Sequence, residues 1–208
     1  NVVVVEIMGR NSGWLTLAAG LEHFMGGVYP QIVAIPEIPF DEFGFLNQVK
    51  ELLKTEHTVI CAVSEGIRNH NGDYVGMETK SGAVDTFGHT YLSGVGKYLE
   101  LQIAEKIGCK VRSIELNVMQ RCSAHLASKT DLDEAVQIGE AAVSAAEAGA
   151  TGIMMVFERT SNHPYAVRIA QTDVSNVANL AKDVPECWHD LSDQSVRDEI
   201  KQYLLPLM

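Results

Sequence analysis

The chain has 208 residues, 16 of them basic and 27 acidic, for a formal charge of −11. That length suits one large or two small domains, and 46% hydrophobic with 21% charged residues is ordinary globular composition, which excludes a disordered chain. So acidic a chain is a poor partner for nucleic acid or an anionic membrane, and any anionic ligand must be met by a few focused cations.

Asn1 leads straight into Val2-Val3-Val4-Val5, with no initiator Met and no polar leader, which raises the expectation of a processed chain or a fragment of a longer one. Val2 to Met8, broken only by Glu6, is β-branched and apolar enough for a strand buried in a parallel sheet. Gly9 to Gly13 reads as a turn, and Trp14 to Phe24 as a helix capped by Asn11 or Ser12 and ended by Gly26-Gly27. Next come a strand at Gln31–Ile35, a helix at Asp41–Thr55 and a strand at Thr58–Ser64. Residues 66–90, rich in Gly, Asn and Asp, read as a long functional loop or hairpin. A helix at Gly94–Ile107 and a strand at Lys110–Leu116 follow, then an Ala-rich helix at Asp131–Ala148 with Thr130 as its cap. The chain closes with strands at Gly152–Phe157 and Ala166–Ala170, paired as a hairpin, and a helix at Ser195–Leu205.

Strands alternating with helices imply an α/β protein with a mainly parallel sheet, in three α/β/α layers. Ligands in such folds sit where strands hand over to helices. Four junctions qualify: Met8 to Gly13, Pro36 to Pro39, Ser64 to Arg68, and Asn117 to His125. No apolar run approaches the roughly 20 residues of a membrane span, and the start lacks the basic leader of a signal peptide. Cys61, Cys109, Cys122 and Cys187 show no CxxC spacing and read as reduced core cysteines of a cytoplasmic protein. The histidines have no HxxxH or HExxH spacing, so no structural metal is expected.

At the first junction, Gly9 and Gly13 permit close backbone approach, the helix start offers amides, and Arg10 adds a planar cation suited to phosphate. On spacing alone this is either a phosphate site or an ordinary turn with a solvated Arg. Glu65, in Val63-Ser64-Glu65-Gly66, is either an acceptor for a polyhydroxy ligand or a loop acid. Arg112 and Arg121 reach one anion only if the strand or a neighbouring subunit brings them together. Gly94-Val95-Gly96-Lys97 fails both nucleotide signatures. Leu99 stands where the dinucleotide fingerprint wants Gly, and Tyr91 and Tyr98 stand where a P-loop wants Gly and Ser or Thr. An α/β oxidoreductase is correspondingly disfavoured.

Read jointly, Met8-Gly9-Arg10 with Gly13, Ile35-Pro36-Glu37, Val63-Ser64-Glu65-Gly66 and the Gln120-Arg121 that ends Ile114 to Arg121 resemble the phosphofructokinase family, in order and spacing, over nearly the whole chain. The tract Asp85-Thr86-Phe87-Gly88-His89 to Tyr98, with Arg121 to Ser128, is most similar to the pyrophosphate-using branch. The resemblance implies phosphoryl transfer from pyrophosphate, or ATP, to the 1-hydroxyl of fructose 6-phosphate, as a step of glycolysis. It implies that Met8, Gly9 and Arg10 bind the sugar phosphate and that Arg10 also stabilises the phosphoryl group in flight. It assigns Glu65 to the sugar hydroxyls, Arg121 to the 6-phosphate, and Arg112 to the same phosphate across a subunit boundary. Two positions depart from the family pattern. Val118 stands where His or Tyr makes a further sugar-phosphate contact, which leaves that contact to another group such as His125. Asn1 stands where many members carry a basic residue.

The family's Gly-Gly-Asp donor loop and Thr-Ile-Asp-Asn base segment have no match here. The resemblance therefore implies a C-terminal half, inactive by itself: a sugar-phosphate domain over residues 1–122 and a segment over 123–208 that returns to the missing donor domain. Base, donor and Mg²⁺ would come mainly from the absent half, in a homodimer or homotetramer. The apolar face of the Asp131–Ala148 helix should then lie uncovered. A non-catalytic, sugar-phosphate-binding subunit is the alternative, and the presence of Arg10, Glu65 and Arg121 argues against it.

Overall fold

The computed structural model describes residues 1–76 and 94–208. The valine run forms β1 (Val2–Ile7) at the inside of a four-stranded sheet. Its neighbours are β3 (Val59–Ser64) and β4 (Val111–Glu115), and β2 (Ile32–Ala34) completes the order β2-β3-β1-β4. All three pairings are parallel. The register puts Val2 beside Val59 and Val4 beside Cys61, so alternate residues of β1 and β3 share one face.

That face is covered by α3 (Glu42–Leu52) and α4 (Val95–Ile107). Phe45, Leu46 and Val49 of α3 and Val95, Leu99 and Ile103 of α4 join Val2, Val4, Val59, Cys61 and Val63 in one buried cluster. Helix α1 (Trp14–Ala19) packs against β2 and β3, and its Thr16 and Leu17 are buried outside that cluster. The result is the three-layer α/β arrangement with a parallel sheet. Burial pushes the Cys61 thiol up to about 12, as befits a core residue. All four cysteines are free, but Cys122 and Cys187 are exposed, which corrects their expected place in the core.

The chain divides into two compact units, Asn1–Cys122 with Asp183–Asp193, and Ser123–Lys182 with Gln194–Met208. The stretch 183–193, part of the expected returning segment, thus belongs with the first unit. The second unit holds α6 (Lys129–Glu147), the antiparallel pair β5 (Ile153–Asn162) and β6 (Tyr165–Asp173), and α7 (Gln194–Leu204). Within it the Arg159 guanidinium lies over the rings of both Tyr165 and Tyr203 and donates to the Tyr203 carbonyl at 2.6 Å. The Tyr165 hydroxyl donates to Glu134 at 2.5 Å. Helix α6 buries only Ala145 and leaves Leu132, Val136 and Val143 at 57%, 61% and 61% exposure, so these apolar side chains are largely uncovered by the described residues.

Several local expectations need correction. The helix expected over Trp14–Phe24 is split by Gly20 into α1 and a one-turn α2 (Leu21–Phe24), because glycine is the weakest helix former there. Neither Asn11 nor Ser12 caps α1; Gly13 occupies the cap position and has no side chain to offer. Helix α6 starts earlier than expected: Ser128 accepts from the Asp131 amide at 3.2 Å, and the Thr130 hydroxyl donates instead to the Pro206 carbonyl at 3.0 Å. Strands β5 and β6 run several residues beyond their apolar stretches, since their outer positions, such as Glu158, Thr160 and Asn162, are polar and solvated. Of the long loop, Asn69 organises the described start by accepting from the Asn71 and Asp73 amides. Its remainder, with the Asp85 to His89 tract, lies outside the described residues.

Gly66 follows β3 where the chain passes under the Arg10 carbonyl. A Cβ there would lie 1.7 Å from that oxygen and 2.5 Å from its carbon, with only backbone to yield. Gly66→Ala should therefore destabilise the protein by about 1–3 kcal/mol through overpacking. Chemical denaturation reads this as a lower midpoint, and an unchanged midpoint would mean the turn does not rest on residue 66.

Candidate functional site

Parallel strands all present their carboxyl ends to one edge of the sheet, and the four junctions singled out from the sequence follow strands that end there. The turn after β1 is the centre of what the structure assembles. Gly9 has φ +141°, a backbone region that favours glycine, and a Cβ on it would lie 2.7 Å from the Ser12 carbonyl. The Met8 amide donates to Gln120 Oε1 at 3.1 Å, and the Gly9 amide to Glu65 Oε1 at 3.3 Å. The buried Ser64 hydroxyl donates to the Gly9 carbonyl.

Three of the sequence-singled junctions therefore meet at Met8 and Gly9. Gln120 belongs to α5 (Met119–Cys122), so its bond to Met8 holds the one-turn helix that carries Arg121. Arg121 is exposed, Arg10 half-buried, and among the described residues neither guanidinium makes a hydrogen bond or ion pair. With one oxygen engaged by Gly9, Glu65 retains Oε2 as an acceptor. Guanidiniums and a carboxylate oxygen of this kind are the groups that can meet a phosphate and sugar hydroxyls.

The amides of the turn play a different part from the one expected. Those of Met8, Gly9 and Gly13 all donate to side-chain acceptors, the last to Glu37 Oε1 at 2.9 Å. At the start of α1 the Gly13 amide is thus already engaged by a carboxylate.

Arg112 is not brought to this cluster. It pairs with Val3, at the far end of β1 from Met8, roughly 16 Å away along the strand at about 3.3 Å per residue. It is exposed on β4, an edge strand, and makes no ion pair among the described residues. Val118 is 62% exposed, and His125 belongs to the second unit.

Acidic residues flank the cluster. Burial pushes the Glu6 carboxyl above its usual range; the Gly96 amide, donating to it at 2.7 Å, works against this, while Glu115 and Glu65 add to it. Glu115 pairs in register with Glu6 across β1 and β4. No group of three or more His, Cys, Asp or Glu among the described residues is placed to hold a metal ion.

Residues 1–146 match the phosphofructokinase family. The chain belongs to that family. A pyrophosphate–fructose 6-phosphate 1-phosphotransferase of Xanthomonas campestris is 35% identical over 207 residues, covering 100% of this chain and 49% of the relative. The protein of the same description from Halomonas elongata is also 35% identical over 207 residues, covering 100% and 49%. Among solved structures, the pyrophosphate-dependent phosphofructokinase of Nitrosospira multiformis superposes with TM-score 0.80 at 32% identity, covering 99% of this chain and 47% of that one. The chain spans about half the length of these three relatives.

Some members of the site carry no signal in the sequence beyond their motif. Gln120 and Glu37 stand inside family motifs, but nothing in the spacing says that their side chains accept main-chain amides. The close passage of the turn over Gly66 was not read from the sequence either, where glycine after the β3 acid is its one local sign.

Proposed function

We propose that this chain is the C-terminal, sugar-phosphate-binding half of a pyrophosphate-dependent 6-phosphofructokinase. In the reaction the 1-hydroxyl oxygen of fructose 6-phosphate attacks one phosphorus of pyrophosphate. The bridging P–O bond breaks, the hydroxyl proton is lost, and fructose 1,6-bisphosphate and inorganic phosphate leave. The observation that carries this reading is the Met8–Gly9 turn, tied by Gln120 and Glu65 beside Arg10 and Arg121, whose guanidiniums have no partner among the described residues. The descriptions of the relatives support pyrophosphate as donor.

Each residue then has a task. Arg121 binds the 6-phosphate, and Glu65 accepts from sugar hydroxyls through its remaining oxygen. Met8 and Gly9 shape the sugar pocket, and Val118 lines it by van der Waals contact where the family uses a polar ring. Arg10 faces the phosphoryl group as its charge spreads in transfer, which is mostly a matter of positioning and charge neutralisation. Arg112, a strand's length from its own chain's turn, serves the site of a neighbouring copy, which makes the enzyme a homodimer or homotetramer. In this reading the other half of the enzyme supplies most of the Mg²⁺ ligands and the general base. No described helix is long and apolar enough to cross a membrane. A cytoplasmic, glycolytic role fits this reading.

The test is a donor-swap assay on the full-length protein with fructose 6-phosphate. Pyrophosphate should support fructose 1,6-bisphosphate formation and ATP should not. Turnover with ATP alone would overturn the donor. Binding of the sugar phosphate without turnover on either donor would establish a non-catalytic subunit instead.

A further inference from the structure

Glu37 stands in the junction after β2, a loop to which no ligand contact is assigned. Its Oε1 accepts two main-chain amides at once, Gly13 at 2.9 Å and Val184 at 2.9 Å. The two donors come from stretches far apart in the chain, the end of the Met8–Gly13 turn and the returning stretch 183–193. Glu37 Oε2 is sealed from solvent and has no hydrogen-bond partner among the described residues. A Cβ on Gly13 would lie 2.8 Å from Oε2 and 2.5 Å from the Ile35 Cβ, so the carboxylate and the start of α1 are in direct contact.

The returning stretch is itself well seated. Val184 is 2% exposed, and Trp188 meets Trp14, the first residue of α1, edge to face with ring centroids 5.8 Å apart. A carboxylate buried with one idle oxygen is costly to keep, and two charge-assisted bonds to main-chain amides are what hold it there.

The turn is thereby held at three places. Gln120 and Glu65 take the amides of Met8 and Gly9, Gly66 lies under the Arg10 carbonyl, and Glu37 takes the amide of Gly13. Arg10 lies between the first and last of these. Glu37 is the hold that also engages the stretch 183–193.

We propose that Glu37 is a positioning residue: it clasps Gly13 to Val184 and so fixes the main chain from which Arg10 reaches the phosphoryl group. The inference rests on the role proposed above for Arg10. Because the clasp acts on placement of a group that works in the transition state, its loss should lower kcat while leaving KM for fructose 6-phosphate nearly unchanged.

The experiment compares Glu37→Met, which removes the acceptor at similar volume, with Glu37→Gln, which keeps an acceptor oxygen, both in the full-length protein. Glu37→Met should lower kcat on the order of tenfold or more, with KM within about threefold, as misplacement of a catalytic group does. Glu37→Gln should recover most of the turnover. In parallel, hydrogen exchange followed by mass spectrometry should show lost protection over residues 8–16 and 183–189 in Glu37→Met and its retention in Glu37→Gln. If Glu37→Met does not fold, Glu37→Asp, which withdraws the acceptor by one methylene, should give the same split in milder form. Retained protection in the acceptor-deleting variant overturns the clasp. Lost protection with unchanged kcat, or equal loss of activity in the Gln and Met variants, overturns the positioning role. A wild-type protein inactive with either donor defeats the functional reading instead, and the exchange measurement still decides the clasp.

Discussion

Arg121→Ala in the full-length enzyme raises KM for fructose 6-phosphate on the order of tenfold to a hundredfold, the effect of losing a charged hydrogen-bond partner worth about 1.5–3 kcal/mol. The structure says why this loss should fall on the ligand and not on the fold. Arg121 is exposed on α5 and makes no hydrogen bond or ion pair among the described residues, so its removal strands no protein partner. Gln120, the neighbour that ties α5 to Met8, is untouched. Stability should therefore stay within about 0.5 kcal/mol of wild type, as for a surface change away from packing and caps. Arg121→Lys should recover part of the affinity, because it restores the charge without the planar fork that fits a phosphate. Steady-state kinetics with varied sugar phosphate checks both variants. An unchanged KM in the alanine variant would remove Arg121 from the sugar-phosphate site.

Arg10→Ala acts on the other kinetic constant. Its contact strengthens as charge builds on the phosphoryl oxygens, so kcat should fall on the order of 10²–10³-fold while KM for the sugar changes little. Main-chain position is not what the variant tests, since the Arg10 carbonyl over Gly66 stays in place whatever the side chain. The contrast with Glu37→Met is useful: that variant keeps the guanidinium and loosens its base, and should lose less. Turnover at saturation that survives in Arg10→Ala would sink the transfer role, and a rise in KM alone would make Arg10 a second binding arginine.

Much of the architecture is legible from pattern alone. The run Val2 to Ile7 is apolar but for Glu6, as suits a strand inside a parallel sheet, and the structure gives it two parallel neighbours. The strand–turn–helix rhythm set the site at the strand ends, and Gly9, Glu65 and Gly66 are visible there because each residue type answers a local geometric demand. Less was legible where the signal is not local. The outer halves of β5 and β6 are polar, so their strand character comes from pairing with each other and not from hydrophobic period. Thr130 and Ser128 are both good capping residues, and the Pro206 carbonyl, distant in sequence, decided between them.

By itself the sequence determined the family and the parallel α/β fold, and it singled out a handful of candidate residues for a phosphorylated sugar, because glycine turns, strand-end acids and arginines are each chosen by chemistry local to their motif. Only the tertiary structure decided what those residues do to one another. Glu37 takes the Gly13 amide at the helix start that was expected to offer amides to a phosphate, Gln120 and Glu65 take those of Met8 and Gly9, and Arg112 lies a strand's length from that turn. The physical reason is the same in each case: a buried main-chain amide must find an acceptor, and which acceptor is within reach depends on the packing of segments that the sequence separates by up to 171 positions.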